Sequence, residues 1–113
     1  MSISQHLKTT DEGKEKHVPA IDAKDYSGGG ELSVTIQVGR ETLHPSTVEH
    51  AIKTITLYGV AKAKKLEQLA VFQLGDEHTV PRVRAYIKKG QYEKLIATSY
   101  CNVHGLWEGE ISL

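Results

Sequence analysis

Leu32-Ser33-Val34-Thr35-Ile36-Gln37-Val38 alternates apolar and polar side chains without a break. Successive side chains of an extended chain point to opposite faces, so this period of two describes a strand with one face buried. It is bounded upstream by Ser27-Gly28-Gly29-Gly30, a run whose entropy cost keeps it out of regular elements. The same alternation recurs further along. In Val80 to Ile87, residues Val83, Ala85 and Ile87 oppose Arg82, Arg84 and Tyr86. In the next strand Leu95, Ala97, Ser99 and Cys101 share a face, and Leu106 to Leu113 reads as a short closing strand. Val48 to Tyr58 has β-branched residues at alternate positions (Ile52, Thr54, Thr56), which favours strand over helix.

Only Val60 to Leu69 is ambiguous, because its Ala, Lys, Glu and Leu content suits a helix as well as a strand. Six or seven short strands with regular turn signals predict an all-β sandwich. Residues 1–14 are polar and read as a flexible lead-in, and residues 15–113 as one domain. A chain of 113 residues buries roughly two thirds of its unfolded surface on folding.

Lys and Arg together number 14, as do Asp and Glu, so the net charge is zero with neutral histidines. Nucleic-acid binding draws its affinity from a surplus of cations, and that class is disfavoured. No apolar run is long enough to span a membrane, and the N-terminus has no apolar signal core. The single cysteine cannot form an internal disulfide. These features together predict a cytoplasmic protein.

That cysteine decides the chemistry. Cys101 stands three residues before His104 in Tyr100-Cys101-Asn102-Val103-His104-Gly105-Leu106-Trp107, a turn whose backbone N–H groups can point at the sulfur. Upstream lie Glu15-Lys16-His17-Val18-Pro19 and His44-Pro45-Ser46-Thr47-Val48-Glu49-His50. His17 stands two residues before Pro19, His44 directly before Pro45 and His104 directly before Gly105, which places their rings in stiff loops or at strand ends; His50 is placed at a strand start. His6 and His78 stand in ordinary polar surroundings and are left out of the candidate set.

Four imidazoles and a thiolate exceed what zinc sites use. Blue copper wants two histidines, a cysteine and an axial methionine, and the only methionine is Met1. Iron, which accepts mixed imidazole and thiolate donation, is preferred.

Taken in order, these three motifs resemble superoxide reductase of the one-iron, neelaredoxin type. The resemblance runs from residue 15 to the C-terminus. It implies an immunoglobulin-like, seven-stranded antiparallel β-sandwich, in which Val60 to Leu69 is strand and loop. It also implies one mononuclear non-haem iron cycling between Fe(II) and Fe(III). His17, His44, His50 and His104 would be equatorial and Cys101 axial, with one position open to superoxide. By the same resemblance Glu15 ligates the oxidised iron and Lys16 lies near the open face. Implied partners are superoxide as substrate, a rubredoxin-like electron donor and further copies of the chain in a dimer or tetramer. Two-iron relatives bind a second iron through four cysteines, and with one cysteine that centre is not expected here. The competing reading is a non-catalytic metal-binding or electron-transfer β-sandwich.

Overall fold

The computed structural model describes residues 2–11, 16–26 and 28–113. Seven strands follow one another: β1 (Pro19–Tyr26), β2 (Glu31–Val38), β3 (Ile52–Ala61), β4 (Leu66–Gln73), β5 (Arg82–Lys88), β6 (Tyr92–Cys101) and β7 (Gly105–Ser112). All strand pairs are antiparallel, and they form two sheets, β1-β2-β5 and β4-β3-β6-β7. There is no α-helix among the described residues, and so none long and apolar enough to cross a membrane. This is the antiparallel sandwich expected from the alternation.

The two sheets bury their alternating faces against each other. Val34, Ile36 and Val38 of β2 meet Ile55 and Leu57 of β3 and Leu95 and Ala97 of β6, all fully buried. Fully burying one such side chain stabilises by about 1.5–3 kcal/mol, so these strands dominate the fold. Gly109 sits where β7 crosses β1: a Cβ there would overlap the Pro19 carbonyl oxygen. Its missing side chain lets the two sheets approach next to His17.

Several elements differ from the sequence reading. β1 was not foreseen; it begins at Pro19, and only Ile21 and Ala23 mark its inner face before Lys24 and Asp25. β3 starts at Ile52, so residues 48–51 and His50 belong to the preceding loop. Its buried positions run Ile52, Ile55, Leu57, because an irregularity between Ile52 and Thr54 inserts one residue and turns the strand over. The ambiguous segment 60–69 is the end of β3, a tight turn and the start of β4, with Lys64 at φ 72° in the turn. Cross-strand pairing on both sides overrides its helical propensity.

The described N-terminal residues add two contacts to this frame. Ile3–Gln5 form a 3-10 turn capped by Ser2. Lys8 then pairs in parallel with Trp107, its N–H donating to Leu106 O at 3.3 Å and its carbonyl accepting from Glu108 N at 2.8 Å. That contact satisfies part of the outer edge of β7, which would otherwise present unpaired groups.

Candidate metal centre

The sandwich gathers the ligand-bearing loops at one end. In the β1–β2 register Pro19 opposes Val38, while Cys101 opposes both Ile52 and Gly105. The residues entering β1, leaving β2, entering β3 and turning from β6 into β7 therefore converge. His17, His44, His50, Cys101 and His104 each present a donor atom there, and these atoms lie within 4.8 Å of one another.

The four imidazoles form a closed ring. Neighbouring centroids are 4.7 Å (His17–His44), 4.6 Å (His44–His50), 5.0 Å (His50–His104) and 4.8 Å (His104–His17) apart. The His17–His50 distance is 6.5 Å, close to the diagonal of a square with those sides. Adjacent rings are steeply inclined, from 63° to 85°, so they pack edge to face around the centre. His17 Nε2 and His104 Nδ1 are 3.1 Å apart, and Cys101 Sγ is 3.6 Å from His44 Nε2 and 3.9 Å from His104 Nδ1. Nitrogens at right angles around an ion, each at about 2.1 Å, would be about 3.0 Å apart, and opposite ones about 4.2 Å. The donor set fits a single transition-metal ion with four nitrogens and one sulfur.

Each donor is fixed by a local device. Pro45 O, which can only accept, lies 2.8 Å from His44 Nδ1, so Nδ1 carries the proton and Nε2 keeps a lone pair to offer a metal. The loop before it closes through His44 N–H to Val38 O at 3.0 Å. His50 is held by Thr47, whose Oγ1 accepts its N–H at 2.9 Å. Asn102 then ties that loop to the cysteine turn: Oδ1 accepts Ala51 N–H at 3.0 Å and Nδ2 donates to Glu49 O at 3.0 Å. The His104 N–H points at Cys101 Sγ over 3.4 Å and so fixes the turn that carries both residues. Cys101, His17 and His44 are buried, His50 is half-buried and His104 is exposed. The sulfur thus lies at the protected side of the cluster, and His104 borders solvent.

The desulfoferrodoxin family profile matches residues 9–110 of the chain. The chain belongs to the desulfoferrodoxin family. Among curated desulfoferrodoxin-type relatives, the superoxide reductase of Pyrococcus abyssi is 39% identical over 116 residues, covering 98% of both chains. The neelaredoxin of Megalodesulfovibrio gigas is 32% identical over 122 residues, covering 96% of this chain and 94% of its own. A crystal structure of an oxidised superoxide reductase superposes with a TM-score of 0.89 at 33% identity, covering 99% of both chains.

Of the two remaining candidates, Lys16 is exposed and directly precedes His17. It lines an open cleft of about 380 Å³ with Asp11, Arg40, Glu41 and Thr42. Glu15 lies outside the described residues. Sequence reasoning missed the supports of His17. Asp11 Oδ1 accepts the N–H groups of His17 (2.6 Å) and Val18 (2.8 Å), and Ser99 Oγ donates to His17 O at 2.8 Å. Arg40 was missed too, because nothing local marks it as a neighbour of Lys16.

Proposed function

We propose that this chain is a superoxide reductase, catalysing O2•− + e− + 2H+ → H2O2 at one mononuclear iron. The observation that carries this reading is the square of four imidazoles around one buried thiol, in a family whose curated relatives include superoxide reductases. His17, His44, His50, His104 and Cys101 would hold the iron. When bound, iron in this donor set would supply the one-electron chemistry that reduces superoxide, the electron being replaced by an external donor. As a ligand, Cys101 would add electron density to that centre and balance part of its charge.

The remaining chemistry belongs to the chain. Superoxide is a small anion, and a cation at the approach raises its local concentration and helps hold negative charge as it develops on the departing oxygens. Lys16 sits next to a ligand and shares its cleft with Arg40, which suits that task. Glu15, a carboxylate two residues before His17, would cap the oxidised centre once product has left; this role rests on the sequence motif. We further infer a rubredoxin-like electron donor, assembly into a dimer or tetramer, and residence in the cytoplasm, where a lone thiol stays reduced.

Two measurements test this. Protein reconstituted with ferrous iron is expected to hold one iron per chain, to show a visible thiolate-to-ferric band on oxidation, and to consume superoxide without evolving oxygen. A coloured iron protein inert toward superoxide would instead be an electron carrier, and a colourless zinc protein would defeat the reading. Lys16→Ala should retain iron while its rate with superoxide falls roughly 10- to 1,000-fold at low salt, with a flatter ionic-strength dependence. Pulse-radiolysis rates equal to wild type at every salt concentration would remove Lys16 from the mechanism.

A further inference from the structure

Trp107 is buried to 2% exposure, yet it stands outside the apolar cluster that fills the sandwich. Its contacts go to the metal centre instead. The indole stacks on the His17 ring with centroids 4.6 Å apart and planes within 14° of parallel. Its Nε1–H donates to the backbone carbonyl of His104 at 3.1 Å. The Lys8 ammonium lies over the same indole, 4.9 Å from its centroid, and the Lys8 backbone pairs with β7 on both sides of Trp107.

An imidazole bound through one nitrogen keeps rotational freedom about that bond unless something flat or polar holds its plane. His17 Nε2 and His104 Nδ1 are adjacent donors 3.1 Å apart, brought together from sequence positions 87 residues apart. The Trp107 side chain touches both residues. A ring stacked face to face blocks rotation of His17 in either direction. A hydrogen bond to the His104 carbonyl fixes the turn from which that ring projects. Groups one contact removed from a metal commonly set ligand orientation and electronic tuning.

We propose that Trp107 is a positioning residue of the metal centre, its indole face setting the plane of His17 and its Nε1–H the placement of His104. This rests on the metal-centre reading above and goes beyond it by assigning control of the centre to a residue that donates nothing to the metal. Lys8 contributes from the outside, holding the indole by a cation–π contact.

The test compares wild type with Trp107→Phe, which keeps an aromatic face for His17 but loses the hydrogen bond, and Trp107→Leu, which loses both. Cobalt(II) serves as a probe of the empty protein, and the iron-loaded proteins give the thiolate-to-ferric band and the midpoint potential. Trp107→Leu is expected to bind cobalt roughly 10- to 100-fold more weakly. Its ferric band and potential should shift even at saturating metal, with Trp107→Phe between it and wild type. Simple loss of stability would weaken binding but leave the saturated spectrum where it was. Circular dichroism checks folding, and if Trp107→Leu does not fold, Trp107→Phe decides alone. A folded variant with wild-type band, potential and cobalt affinity overturns the proposal. A wild-type protein that binds neither metal removes the centre itself, and the two failures are therefore distinguishable.

Discussion

Cys101→Ser is expected to abolish both the visible ferric band and the reaction with superoxide while leaving the sandwich folded. The thiol is fully buried at the end of β6 and belongs to the core cluster, so the substitution must be close in volume to test chemistry rather than packing. Serine satisfies that condition. It replaces the sulfur that His44 Nε2 and the His104 N–H now face at 3.6 and 3.4 Å by a smaller oxygen. It stays protonated near neutral pH, so the centre loses an anionic donor and the electron density a thiolate supplies. Changes one contact removed from a metal already cost roughly 10- to 100-fold in affinity, and loss of a direct ligand should exceed that. Titration with ferrous iron, optical spectra and pulse radiolysis on the same preparation read all three consequences. A serine variant that kept the coloured ferric form and reacted with superoxide would show that the sulfur is not a ligand.

This also explains why the donor set was legible from the sequence while its supports were not. A lone cysteine with histidines beside proline and glycine is chemically unusual, and residue type alone limits what it can bind. The alternation in β2, β5 and β6 was equally direct, because a half-buried strand writes its period into composition. Asp11 and Ser99 act on His17 through a carboxylate and a hydroxyl placed 6 and 82 residues away in the chain. Aspartate and serine in polar or alternating runs carry no mark of such a task. The turned-over start of β3 escaped for a similar reason: one inserted residue changes which face is buried, and only pairing with β6 reveals it. The segment around Lys64 had helical composition, but its neighbours in the sheet decided otherwise.

The second large effect is expected at Gly39, which contributes no donor atom. It leaves β2 at φ +90°, and a Cβ there would overlap the Thr42 carbonyl oxygen and crowd the His44 N–H. Both costs fall on the loop that closes through His44 N–H to Val38 O at 3.0 Å and through Gln37 Nε2 to Gly39 O at 2.8 Å. Left-handed backbone and overpacking against a rigid carbonyl together cost about 2–5 kcal/mol. Against a total stability of roughly 5–15 kcal/mol this is a large fraction. Gly90 supplies the control, since it has nearly the same φ, +88°, with nothing within 4 Å of its would-be Cβ. Gly90→Ala should therefore show the backbone strain alone and bind iron normally. Gly39→Ala should melt well below it and lose iron, because the clash opens the loop that delivers His44. Thermal melts with and without iron, together with metal stoichiometry, separate the two. If Gly39→Ala matched Gly90→Ala in stability and held one iron with an unchanged ferric band, the placement of His44 would not depend on that turn.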